Sequence, residues 1–415
     1  MKHAFPQPIH HQWLGLLSIS AILVGMLLSD ATMSIGMIAL IGNAVLNWDV
    51  GALFRRFLRN KALLGLTGIF LIYLISGLWS ENTVFFLRRL RLTLPFFILP
   101  FGILSIPRFD RSVYFSLLYG FFWIMAIMCL YSLSLYVRDY EQITELYKRG
   151  QVMPTPVMHI RFSLMVAYCV AIGWYLFTER FYWRFPWERY LLLGSSAFLV
   201  VYLHVLAVRS GLLALYGVLL FFLLHAMVKY KKYRIGLVAV IGLALGVWLA
   251  FRYVPTLKNK IGYTRYSINL FLKRENLEEL SDSYRLGSIL AGLELGRQHP
   301  LTGVGIGDIR EECDVYFQQH LPALVGQGLM PHNQYLFILA ATGFPGLLYF
   351  IWATFYPLFY RRSYRNLLIA AFYIIAISSF MVEHTLETQL GLAFYLVFVL
   401  MGIRFQDEMA ENGKT

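Results

Sequence analysis

Along the chain, long apolar runs alternate with short polar connections, and run length is the first clue to the fold. A helix rises 1.5 Å per residue, so roughly 17 to 25 apolar residues cross a hydrocarbon core about 30 Å thick. Runs of about this size occupy Trp13–Leu28, Met33–Leu46, Leu63–Trp79, Leu90–Leu104, Val113–Val137, His159–Phe177, Tyr190–Val208, Gly211–Val228, Ile235–Tyr253, Asn333–Phe355, Leu367–Val382 and Leu390–Ile403. They are too long for strands. The pattern predicts an all-α, polytopic membrane protein of about twelve spans. The stretch Met1–Gln12 is polar, carries a single Lys and leads into the first run without a small-residue cleavage site. It is expected to be retained rather than removed as a signal peptide.

One connection is not short. Pro255–Pro331 far exceeds the usual loop of about 4 to 6 residues. It holds aromatic residues and an amphipathic stretch, Tyr284–Gln298, in which Leu286, Ile289, Leu290, Leu293 and Leu295 alternate with polar positions. That composition predicts a folded cap rather than a disordered linker. The expected division is 1–254 for spans one to nine, 255–331 for the cap, 332–404 for spans ten to twelve and 405–415 for a tail. No internal repeat stands out, nor a matched pair of Gly/Pro-broken spans of the kind that marks inverted-repeat transporters.

Charge adds an orientation. With a cytoplasmic N-terminus, every basic cluster in a short loop falls inside: Arg55, Arg56, Arg59 and Lys61; Arg108 and Arg111; Arg180, Arg184 and Arg189; Lys229, Lys231, Lys232 and Arg234; and Arg361, Arg362 and Arg365. The cap then lies outside, with both termini cytoplasmic. Composition agrees: 58% hydrophobic and 14% charged residues leave too little polar surface to cover a water-soluble globule of this length. The net charge of +13 would suggest nucleic acid on a soluble protein. Here it is explained by loop topology and contact with anionic membrane lipids, so no nucleic-acid partner is expected. Cys129, Cys169 and Cys313 have no metal-ligand spacing and read as packing residues.

Titratable groups at the outer ends of spans carry the candidate chemistry, because burying them unpaired is costly. Arg88, Arg89 and Arg91 follow the outer turn Trp79-Ser80-Glu81-Asn82, on the side where positive charge is disfavoured. Arg209 opens another span and Arg285 begins the amphipathic stretch of the cap. A guanidinium suits phosphate oxygens with a permanent charge and a planar fork of donors, whereas the structural alternative is headgroup snorkelling or an ion pair. His332 opens the tenth span in Pro331-His332-Asn333, and its ordinary pKa near 6.5 suits proton transfer from a hydroxyl. Glu383 and His384 are further acid–base candidates, and His159 stands at another outer span end. Gly343-Phe344-Pro345-Gly346 breaks the tenth span or lets a neighbour approach closely. The Gly-rich stretch Pro300–Asp308 lacks the Gly-Lys-Ser/Thr ending of a nucleotide loop and reads as a tight turn at the base of the cap.

These residues fall into a familiar order. His332-Asn333, nine residues, then Gly343-x-x-Gly346 is similar to the His-Asn-x9-Gly-x-x-Gly pattern of O-antigen ligases, and Arg209-x-x-x-Leu213 to their Arg-x3-Leu pattern. Ser283-Tyr284-Arg285 leading into Pro300-Leu301-Thr302-Gly303-Val304-Gly305 resembles the cap of the same superfamily of ligases and polymerases. The resemblance is close over roughly Arg209 to Gly346. It implies a GT-C-like membrane glycosyltransferase of the bacterial inner membrane with a periplasmic site, without metal or other cofactor. An inverting transfer would move a glycan from an undecaprenyl-diphosphate carrier to an acceptor hydroxyl, on lipid A-core for a ligase or on a growing glycan for a polymerase. Arg209 and Arg285 would neutralise the diphosphate, with Arg88 or Arg91 as helpers. His332 would take the proton, or orient the acceptor if Glu383 or His384 is the base; Asn333 is a further expected substrate contact, as is His159, which is chosen for its place at an outer span end and not by the resemblance. Two rivals are a secondary transporter, which should place ionisable groups at mid-membrane depth, and a metal-dependent transferase using Asp282 and Asp308.

Overall fold

The computed structural model describes residues 9–274, 277 and 280–413, so most of Met1–Gln12 lies outside the described residues. Among the described residues the regular structure is helical throughout. The helices are α1 (Ile9–Leu28), α2 (Asp30–Val45), α3 (Val50–Arg59), α4 (Lys61–Ser76), α5 (Thr83–Gly102), α6 (Arg111–Arg138), α7 (Tyr140–Lys148), α8 (His159–Thr178), α9 (Glu188–Leu206), α10 (Arg209–Tyr230), α11 (Tyr233–Tyr253), α12 (Pro255–Lys273), α13 (Ser281–Gln298), α14 (Ile309–His320), α15 (Gln334–Phe359), α16 (Leu367–Val382) and α17 (Gln389–Glu411). Each predicted run falls on a helix. By length and composition eight described helices can cross a membrane, or nine if α2 and α3, bent by 108°, form one broken span. α4 and α16 are apolar but only 16 residues long, and α5 carries three arginines in its first half. The protein is therefore a multi-pass membrane protein.

Two compact units divide the chain. The first comprises Met1–Leu117, Gly287–Arg365 and Glu383–Thr415; the second comprises Leu118–Leu286 and Asn366–Val382. The segment predicted as a cap is thus shared, with α12 in the second unit and α14 in the first. In the first unit α1 packs on α2, and α4 on both α5 and α15, while α17 is buried along most of its length. In the second unit α8 is the buried centre, packed against α9, α10 and α16.

The first unit is organised around a break in α15. Gly343 has φ 69° and ψ −175°, a backbone region open essentially to glycine. Pro345 has no N–H to give to the Ala341 carbonyl, and the Phe344 N–H turns away to the Pro300 carbonyl at 2.7 Å. The carbonyls of Ala340 and Ala341 instead accept the N–H groups of Val304 and Gly305, at 2.8 and 3.0 Å. The Gly-rich stretch is thus a strap hydrogen-bonded into an opened helix, which satisfies backbone groups that burial would otherwise penalise. Close approach excludes side chains: a Cβ on Gly303 would lie 2.3 Å from the Ala341 carbonyl carbon, and one on Gly343 2.5 Å from that of Leu301.

The strap also grips the turn before α5. Asp308 accepts the N–H groups of Glu81 and Asn82 at 2.8 and 2.7 Å, and the Gly307 N–H donates to Ser80 Oγ at 3.0 Å. Asn82 then caps α5 by accepting the Phe85 N–H at 2.9 Å. The Trp79–Asn82 turn, the strap and α15 are therefore one hydrogen-bonded assembly. Gly343→Ala is expected to lower the unfolding midpoint of detergent-solubilised protein more than Gly120→Ala, where an added Cβ meets nothing within 4 Å. The expected cost is on the order of 1–3 kcal/mol for the strained backbone, plus the clash; equal midpoints for the two variants would show that the break is not structural.

Candidate functional site

In the first unit the assembly places His332 just before α15. Asn333 accepts the Leu336 N–H at 3.0 Å, so this residue, expected to touch substrate, caps the helix. His332 Nδ1 lies 3.1 Å from the Met330 carbonyl, which can only accept, and 3.1 Å from Ser288 Oγ. Ser288 Oγ also accepts the His332 backbone N–H at 3.1 Å. With the Nδ1 proton directed at the Met330 carbonyl, Nε2 would carry the lone pair.

Glu383 and His384 come from the turn between α16 and α17 to join His332. Their ligand atoms lie within 4.8 Å of one another, and the two imidazole rings meet edge to face at 4.9 Å. Glu383 is buried and both histidines are half-buried. Two imidazoles and a carboxylate at this spacing can pass a proton, and the same donors can hold a divalent cation. The carboxylates of the rival metal-dependent reading have no such freedom: Asp308 is committed to the α4–α5 turn and Asp282 to Arg209.

A buried carboxylate that sequence reasoning missed holds this turn in register. Glu387 accepts from Tyr73 and, at 3.2 Å, from Gln334 Nε2, while Gln334 Oε1 accepts the Leu386 N–H at 2.8 Å. Arg89 Nη1 donates to the Glu387 carbonyl at 3.1 Å and stands 3.7 Å from its carboxylate. Burial pushes the Glu387 carboxyl up from its ordinary range, and Arg89, Tyr73 and Gln334 oppose that shift. Arg89 is thereby a structural cation. Arg88 and Arg91, three residues apart on α5, are exposed and line a groove with Arg310; Arg89 also reaches its wall but is paired with Glu387. The signal for this sorting was helical: residue 89 lies on a different face from 88 and 91.

The remaining predicted residues meet in the second unit. Ala207 adopts a left-handed φ of 53° and ends α9, and the turn delivers Arg209 to the start of α10. Arg209 is paired through both terminal nitrogens with the buried carboxylate of Asp282 and also donates to Thr264 Oγ1 at 3.0 Å. Lys260, on α12, completes the group; no sequence signal set it apart from Lys258. Burial and the Arg209 cation bring its ammonium down to about 8, with Asp282 opposing and Arg285 reinforcing the shift. His159, opening α8, feels the charges of Lys260, Arg285 and Arg161. A groove of about 550 Å³ extends from Arg209, Lys260 and Thr264 along apolar positions including Leu213, Val247 and Phe251.

Residues 194–351 match the family model for O-antigen ligase. The matched stretch contains Arg209, Arg285, His332 and the Gly343 break; Arg88, Arg91, Glu383 and His384 lie outside it. No curated protein matches the chain.

The lowered Lys260 value predicts a pH effect of known sign. Between about 8 and the ordinary 10.5 the unfolded chain binds more protons at this residue, so its contribution to stability rises with pH across that window. Thermal unfolding across this range should therefore show a stability gain in the wild type that Lys260→Met lacks; parallel curves would place the ammonium in ordinary solvent.

Proposed function

We propose that the chain is a membrane glycosyltransferase of the O-antigen ligase superfamily, which moves a glycan from an undecaprenyl-diphosphate carrier to an acceptor hydroxyl. The acceptor hydroxyl oxygen attacks the anomeric carbon, the bond from that carbon to the diphosphate breaks, and the lipid diphosphate leaves with the electron pair. The hydroxyl proton passes to His332 Nε2. Attack opposite the leaving group inverts the anomeric centre. No metal is required, because a lipid diphosphate is already a good leaving group and guanidinium groups can neutralise its growing charge.

The observation that most supports this reading is the convergence of His332, Glu383 and His384, whose ligand atoms lie within 4.8 Å of one another; with the Nδ1 proton directed at the Met330 carbonyl, Nε2 is the nitrogen assigned as base. Arg209 and Arg285 are assigned the diphosphate, and the apolar groove beside Arg209 suits a prenyl chain. Binding of the anion by Arg209 then requires exchange of its Asp282 partner for phosphate oxygens. The positive-inside pattern supports a site on the periplasmic face of the inner membrane, with both termini cytoplasmic. Lipid A-core is the proposed acceptor, which makes the protein a ligase; extension of a glycan would make it a polymerase.

His332→Ala should abolish transfer without lowering abundance in the membrane, and transfer at the wild-type rate would remove it as the base. Transfer should persist in excess chelator; its loss there, with recovery on adding one divalent cation, would reassign His332, Glu383 and His384 as metal ligands. Arg285→Lys should recover only part of the activity lost in Arg285→Ala, since lysine keeps the charge but lacks the fork. In a deletion strain, polymer accumulating on its carrier beside bare lipid A-core identifies the ligase, whereas single repeat units on core identify the polymerase.

A further inference from the structure

The groove in the first unit has no part in the reaction as written, yet it is built for a particular kind of molecule. It encloses about 710 Å³ beside α2 and α5. On α5 the lining positions Arg88, Arg91, Pro95 and Ile98 recur at helical spacing, so the same face is basic in its first two turns and apolar below. Met37 and Ile38 of α2 continue the apolar wall. Arg310, just inside α14, adds a third exposed cation beside the basic end. Its guanidinium lies flat against Gly328, at φ 62°, where an added Cβ would fall 2.1 Å from Nη2. No acidic side chain is among the lining residues, and the Glu387 carboxylate is committed to Arg89.

We propose that this groove is a binding site for a membrane lipid whose head carries a phosphate monoester or a diphosphate. The head would sit among Arg88, Arg91 and Arg310, and one hydrocarbon chain would lie along Pro95, Ile98 and Ile38. Charge complementarity selects the occupant. Three guanidinium groups without a lining counter-ion favour a head with more than one negative charge over a zwitterionic one, and the apolar wall below them favours a chain over free phosphate. Snorkelling alone would place each arginine among bulk headgroups and would need neither the groove nor the Gly328 seat. The site also adjoins the candidate base: Met330 lines the groove, while its carbonyl holds His332 Nδ1. The proposal does not depend on the transferase reading.

Native mass spectrometry of the full-length protein, freed of lipid by detergent exchange, tests it directly. Phosphatidic acid should bind with a single tight site and phosphatidylcholine should not, and inorganic pyrophosphate should compete weakly. Arg88→Ala with Arg91→Ala should weaken phosphatidic acid by about tenfold or more, the scale of losing one charge-assisted hydrogen bond. Ile38→Trp, at a position 65% exposed and so tolerant of a larger ring, should weaken the lipid while leaving pyrophosphate binding unchanged. Equal binding of phosphatidic acid and phosphatidylcholine overturns the proposal, as does an arginine-independent affinity. Displacement of the lipid by pyrophosphate at equal concentration, or indifference to Ile38→Trp, would reduce it to a free-phosphate site and overturn the lipid assignment. Because the readout is binding, a failed transfer assay leaves the result standing.

Discussion

The first unit depends on an exchange of backbone hydrogen bonds at the break in α15. A proline without an N–H and a glycine in a region closed to other residues open the helix, and the strap from Pro300 to Gly305 closes it again by donating to the freed carbonyls. The exchange works only because Gly303 and Gly343 have no Cβ at the two closest approaches. The strap in turn carries Asp308, which fixes the turn that starts α5. Both the candidate base and the arginine face of α5 are thus referred to one rigid frame, which is what a reacting group needs if it is to be held within a fraction of an ångström.

Charge in each unit obeys the same economy. In each unit a buried carboxylate is given a cationic partner. Glu387 neutralises Arg89 and leaves Arg88 and Arg91 in the groove. Asp282 holds Arg209, and Lys260 shares the site at the expense of a weakened ammonium. In the proposed reaction the carboxylate would keep the guanidinium oriented, and a diphosphate displacing it would meet a fork already in place.

The chemistry assigned to His332 follows from the same frame. A histidine at a span end can serve as a headgroup contact, a ligand or a base, and what distinguishes these roles is the state of its second nitrogen. Here the Met330 carbonyl and the Ser288 hydroxyl both lie beside Nδ1, and that hydroxyl also anchors the backbone of the same residue. The glycan-transfer reading and the metal-ligand reading both use Nε2 with Glu383 and His384, and they diverge in their response to chelation rather than in geometry.

By itself the sequence determined that the chain is helical and crosses a membrane many times, because run length and hydropathy are local properties set by the thickness of a hydrocarbon core. It also singled out Arg209, Arg285 and His332 by motif order, and it found the Gly343 break, since Gly-x-Pro-Gly inside an apolar helix has few local solutions. The number of full spans was not legible in the same way: α4 and α16 are short and α5 is laden with arginine, so their status rests on what packs around them. Only the tertiary structure decided that Asn333 is a cap, that Arg89 is a counter-ion while Arg88 and Arg91 face a groove, and that Glu387 and Lys260 matter. Those roles are set by partners far away in sequence, Tyr73 to Glu387 and Arg209 to Asp282 among them, and a pairing made across hundreds or tens of residues leaves no periodicity to read.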